Sequence, residues 1–148
     1  MTHGRHHKLC ALALGAVVSF CGPAQAGQTQ ADVNALLRGT PEVYNGLFTA
    51  ALIKHIVDSC PQRIEPPGIF ARVSYFMGLY SKARDLGPSR QQIEAFVEDE
   101  AEQERIRQLV FTYLRSADVD PMNKPAVCAY ASDQIAQATA LGKRLREK

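Results

Sequence analysis

Four groups of residues in this 148-residue chain are of types that could do chemistry. Cys60 and Cys128 could form a disulfide or cycle as a redox couple. His55, with Asp58 one helical turn further on, could act as a general base or a metal ligand. The acid-rich run of Glu94, Glu98, Asp99, Glu100, Glu102 and Glu104 could hold a hard cation or share protons. The aromatic residues Phe70, Tyr75, Phe76, Tyr80, Phe96 and Phe111, with Tyr113, could line a ligand pocket.

Each group also has a plainer reading. Redox cysteines usually share a Cys-x-x-Cys turn, which lowers the pKa of one thiol and lets the other resolve it. Cys60 and Cys128 are far apart in the chain, so a structural bond is expected. His55 lacks the several ligands at short spacing that a zinc site needs, and no Gly-x-Ser-x-Gly elbow accompanies it. A half-exposed His55 paired with Asp58 is the expectation there. The acidic run stands at a helix start and is interleaved with Arg105 and Arg107, as on a solvated face. Core packing accounts for the aromatics. The chain has no haem-attachment motif, phosphate loop or dinucleotide fingerprint. No catalytic residue, cofactor or metal is therefore assigned, and an enzyme built on His55 is only an alternative.

The start of the chain indicates its destination. Arg5 and Lys8 precede an uncharged, mostly apolar run over residues 9–20, which Gly22-Pro23 interrupts. Ala24-Gln25-Ala26 then presents small residues at the two positions a signal peptidase reads, so cleavage between Ala26 and Gly27 is expected. The apolar run falls short of the about 20 residues a membrane span requires. Cys21 is disfavoured as a lipid-anchor cysteine, because bulky Phe20 occupies the position where a small residue is needed. The expected organisation is a signal peptide over 1–26, a loose segment over 27–40 and a helical domain over 41–148.

Cleavage changes both the charge and the cysteine count. Loss of Arg5 and Lys8 leaves 15 basic residues against 15 acidic ones, a formal net charge of zero. No charge excess then argues for nucleic acid or an anionic membrane surface. Cys10 and Cys21 go with the leader, and Cys60 and Cys128 remain as an even pair in an oxidising compartment. One disulfide is expected from that count.

The elements follow from caps and periodicity. Asp32 can cap a short turn ending at Gly39. Thr40-Pro41-Glu42 starts a helix with Val43, Leu47, Ala50, Ile53 (with Ile56) and Val57 on one face, closed by Cys60-Pro61. Past Pro66-Pro67-Gly68, a second helix carries Ile69, Phe70, Val73, Phe76 (or Met77) and Tyr80 on one side, and Gly87-Pro88 stops it. Ser89 and Gln92 form a capping box for the third. Val97 and Ile106 fall on opposite helical faces, and Asp99-Glu100-Ala101-Glu102 offers a second capping box. A break near Glu98–Asp99 follows, with Ile106, Leu109, Val110 and Tyr113 as the next apolar face. The last helix has Pro125 in its first turn and an apolar seam of Cys128, Ala131, Ile135, Ala138, Gly142 and Leu145. The fold class is all-α, a compact bundle of four or five helices with one disulfide.

The Cys60-Pro61 pair, GPSRQQIEAFV at 87–97, EAEQERI at 100–106 and VCAY at 127–130 together resemble a family of small secreted alphaproteobacterial proteins known as domain of unknown function 5333. The likeness covers roughly residues 42–146. The chain departs from it in the Pro66-Pro67-Gly68 linker and in a longer N-terminal stretch. The resemblance implies a helical exported protein and supports the Cys60–Cys128 pairing, but it carries no activity, substrate or catalytic residue.

An exported, neutral helical scaffold without catalytic motifs is expected to be a periplasmic interaction or accessory protein of the cell envelope with a protein partner. An acid-activated chaperone, in which the carboxylates at 94–104 protonate and apolar faces become exposed, is the alternative.

Overall fold

The computed structural model describes residues 27–148. The expected leader, with Ala24, Ala26 and Cys21, lies outside the described residues. Six α-helices run in chain order: α1 Gln30–Arg38, α2 Pro41–Ser59, α3 Ile69–Asp85, α4 Arg90–Glu98, α5 Glu100–Ser116 and α6 Lys124–Ala136. A 3-10 turn, Gly142–Arg144, follows α6. A two-residue strand β1 (Ile64–Glu65) pairs antiparallel with β2 (Arg146–Glu147), Ile64 opposite Glu147. The class is all-α, with six helices rather than four or five and one very small sheet.

The extra helix is α1, in the segment expected to be loose. Thr29, not Asp32, is its cap. The Thr29 hydroxyl accepts the Asp32 N–H, and the Asp32 carboxylate accepts the Thr29 N–H at 3.1 Å. That box satisfies N–H groups the helix cannot bond internally. Val33 and Leu37 are then fully buried, which holds the helix in place.

Several boundaries form where the caps place them. Ser89 and Gln92 make the full capping box of α4. The chain breaks at Asp99, whose extended backbone ends α4 and whose carboxylate accepts the Glu102 N–H at 3.0 Å to start α5. Thr40 departs from expectation. Its hydroxyl donates back to the Leu36 carbonyl at 2.8 Å instead of capping α2.

The buried residues fall into two clusters. In one, α2, α5 and α6 meet through Leu52, Ile56, Val110, Leu114, Val127 and Ala131, with Leu145 and Ile64 closing one end. In the other, α1, the start of α2, the end of α3 and α4 meet through Val33, Leu37, Val43, Ala83, Ile93 and Phe96. Helix α2 belongs to both and forms the spine of the domain. The buried stripe of α5 is centred on Val110 and Leu114, whereas Leu109 and Tyr113 are exposed. The core contacts therefore sit slightly further round that helix than the expected face.

The Cys60–Cys128 disulfide is formed, with Cα atoms 5.6 Å apart. It joins the C-terminus of α2 to α6 at the edge of the first cluster. The expected seam of the last helix does not run through to Leu145. Helix α6 ends at Ala136, and Ala138 takes a left-handed conformation with φ 50°. The chain turns back through a Thr139 hydroxyl bonded to the Gln134 side chain, and the Gly142 N–H donates to the Thr139 hydroxyl at 3.0 Å. Gly142 and Leu145 still reach the core, but from the return segment.

Candidate functional site

Helix α3 keeps most of its large apolar residues open to solvent. Its apolar stripe lies on one side, as the periodicity indicates, but that side faces water. Phe70 is 88% exposed, and Ile69, Val73, Phe76 and Met77 are exposed as well. The helix is held instead by Leu79 and Ala83 in its C-terminal half.

Two contacts fix the crossing of α2 and α3. Leu79 packs directly on Gly46, where a Cβ would come within 2.3 Å of the Leu79 Cδ2. The Tyr75 hydroxyl donates to the Gly46 carbonyl at 2.9 Å. Gly46 lets the helices touch there. A groove of about 870 Å³ lies between the later turns of α2 and the first turns of α3. Its floor includes Ala50, Ile53 and Val57 of α2, and Tyr75 and Phe76 form part of the α3 wall. Arg72, Lys143, Arg144 and Arg146 line it, with Lys54 and a single carboxylate, Asp58. Asp58 is paired with Lys54. The Arg144 guanidinium lies over the Tyr75 ring, 5.0 Å from its centroid.

A second cavity of about 430 Å³ lies on the other flank of α3. Phe76, Met77 and Tyr80 face Ile93, Phe96 and Val97 of α4 across it. Its rim carries the Arg90–Glu94 ion pair and Glu98.

The residues singled out from the sequence disperse. His55 does not pair with Asp58, which Lys54 occupies. Its Nε2 lies 3.0 Å from the Pro121 carbonyl oxygen. A carbonyl can only accept, so Nε2 carries the hydrogen. The ring stacks edge-on against Phe111, with centroids 5.3 Å apart. Among the described residues, no three His, Cys, Asp or Glu side chains converge as a metal site would require.

The acidic run is not uniformly a solvated face. Glu102 is 4% exposed and accepts two hydrogen bonds from Arg38 of α1, at 3.2 and 2.5 Å. This bond is the main cause raising the Arg38 pKa above its ordinary value. Glu102 therefore does not return to cap Asp99, and the expected box at 99–102 is only half made. Glu104 pairs with Arg107 along α5.

The aromatics divide. Phe96 is core, but Phe70 and Phe76 are on the surface. The Tyr113 and Tyr130 hydroxyls lie 2.9 Å apart. Burial, then that hydrogen bond, pushes the Tyr130 phenol up and keeps it neutral. Sequence reasoning missed the cationic lining of the α2–α3 groove. Its Lys143, Arg144 and Arg146 come from a C-terminal segment that reaches the groove only because α6 ends early.

The model of the family of unknown function DUF5333 matches residues 35–146. The chain belongs to that family. No curated protein and no solved structure matches it significantly. Among the described residues of this DUF5333 protein, no helix is long and apolar enough to cross a membrane.

Proposed function

We propose that this DUF5333 protein is an exported, non-enzymatic interaction protein of the cell envelope, docking a protein partner through α3. The observation that carries this reading is the exposed stripe of Ile69, Phe70, Val73 and Met77 on a helix anchored by its other end. A monomer gains nothing in folding from keeping these four large apolar side chains in water, and patches of this kind mark interaction sites. The 430 Å³ cavity beside the stripe gives it depth. A helix laid against α3 would place apolar anchors there at positions i, i+3 and i+4. Glu98 on the rim, with Arg90 and Glu94 neutralising one another beside it, favours a partner helix with a basic flanking residue. The disulfide suits a scaffold that works in an oxidising compartment.

The test is a photo-crosslinker placed at Met77 in the native compartment, with the same group at Gln108 as control. One defined partner, trapped at 77 but not at 108 and lost with Val73→Asp, is the expected result. A protein that remains uncrosslinked at 77, or crosslinks equally at both positions, would end the reading.

A further inference from the structure

We infer that the groove between α2 and α3 is a binding site for a monomeric anionic amphiphile: an alkyl chain ending in a carboxylate or phosphate. The inference goes beyond the partner face and does not depend on it, because it uses the opposite flank of α3.

The size and lining define the ligand. At about 870 Å³ the groove is within the usual range for small-molecule sites. Its floor of Ala50, Ile53 and Val57 offers no charge and little hydrogen bonding, so it suits hydrocarbon. Ala50 and Ala71 are the small side chains that keep it wide. The far side is cationic. Lys54 and Asp58 neutralise one another, which leaves Arg72, Lys143, Arg144 and Arg146. Arg146 has only a long 4.0 Å contact with Glu65. The residues from 27 onward have a formal net charge of zero, so this concentration of one sign on an apolar groove is local and not a property of the whole surface.

The backbone adds to the same end. Helix α3 begins at this groove, where Pro66, Pro67, Gly68 and Ala71 line the wall. No side chain caps its first N–H groups. Those donors and the positive end of the helix dipole favour an anion nearby. Arg144 is held over Tyr75, so part of the head-group site is ordered in advance. A free inorganic anion would leave the apolar floor unused, and a neutral lipid would leave the arginines unpaired. One molecule with both parts satisfies both walls.

Titration calorimetry on the oxidised protein starting at Gly27 tests this, with dodecanoate and dodecyl phosphate kept below micelle-forming concentration. Micromolar binding of either one is expected, and the tighter of the two assigns the head group. The exposed double variant Arg72→Ala/Lys143→Ala should weaken binding about tenfold and leave the circular dichroism unchanged. Ala71→Trp should block the groove and abolish binding. Added salt should weaken binding to the unsubstituted protein more than to the double variant. Equal binding of dodecyltrimethylammonium, no effect of either variant, or binding to anionic vesicles without any binding of monomeric dodecanoate would each overturn the site.

Discussion

The Glu102 carboxylate on α5 is held by the Arg38 guanidinium on α1 through two hydrogen bonds, across 64 positions of sequence. Glu102 is buried, and the Arg38 side chain is 38% exposed. Arg105 approaches the same carboxylate at 3.8 Å. The pair ties the first helix to the fifth next to the smaller hydrophobic cluster. Removing only the cation strands a buried carboxylate. Breaking a fully buried pair costs about 3–5 kcal/mol, but water reaches Arg38 and Arg105 remains, so Arg38→Ala should cost about 2 kcal/mol. The urea midpoint should fall with an unchanged slope. Arg38→Lys should recover only part of the loss, because an ammonium cannot present the same two-pronged donor set. A midpoint within error of wild type for Arg38→Ala would show that the pair contributes no stability.

Reduction of Cys60–Cys128 should destabilise the domain strongly. The bond closes a loop of 68 positions, for which the chain-entropy model gives about 4 kcal/mol. A double Cys→Ser variant and the reduced wild type should unfold at similar, much lower urea concentrations. A loss of less than about 1 kcal/mol would mean that the reduced chain is already constrained by other contacts.

The sequence was legible where a local signal decides the structure. Ser89 with Gln92, Asp99 at the break and Pro125 near a helix start each act within one turn, and each boundary formed accordingly. The same logic could have revealed α1, since Thr29-Gln30-Ala31-Asp32 has capping-box spacing. Decisions made by distant parts of the chain were not legible. The stripe on α3 had the right phase but the wrong environment, because periodicity reports that apolar residues share a side and not whether anything covers it. Glu102 looked like one more surface acid, and only the packing of α1 shows that it is buried. His55 looked free to pair with Asp58, but Lys54 and Pro121 compete from positions that spacing does not rank. The early end of α6 was the least visible. No glycine or proline marks residues 137–139, and Ala138 adopts a left-handed conformation that alanine rarely takes.

That turn makes Gly142 sensitive to substitution. A Cβ at 142 would meet the Gln134 carbonyl oxygen at 1.8 Å, and backbone atoms cannot move aside as a side-chain tip can. Gly142→Ala should therefore cost about 3 kcal/mol, at the upper end for overpacking. It should also loosen the β1–β2 pair, read as faster amide exchange at Lys148, whose N–H donates to the Arg63 carbonyl at 3.0 Å. By contrast, Gly46→Ala meets only the end of the Leu79 side chain and should cost less. A Gly142→Ala protein as stable as the Gly46→Ala protein would contradict this packing.

Helix α3 offers a test of which face is covered. Phe70→Ser and Met77→Ser should change stability by no more than about 0.5 kcal/mol, as for surface positions. Leu79→Ala, on the packed side of the same helix, should cost about 2–4 kcal/mol. A large loss for Phe70→Ser in the isolated protein would place that side chain against the body of the domain and remove the open stripe.

The α1 capping box makes part of the fold sensitive to acid in a direction its hydrogen bonds determine. The Thr29 side-chain hydrogen bond, then its backbone N–H, lowers the Asp32 pKa below the ordinary 3.8. A carboxyl with a lower pKa in the folded than in the unfolded state contributes stability above the unfolded value, and that contribution disappears as pH falls through the folded value. The window therefore opens near about pH 4 and extends downward. Wild-type protein should lose stability faster than Asp32→Ala between about pH 4 and pH 2, and the two should converge at the acid end. Amide exchange at Val33, whose N–H bonds the Thr29 carbonyl at 3.1 Å, should report the same fraying locally. Parallel pH profiles for the two proteins would mean that Asp32 contributes the same in both protonation states, and that the box does not govern the acid response of α1.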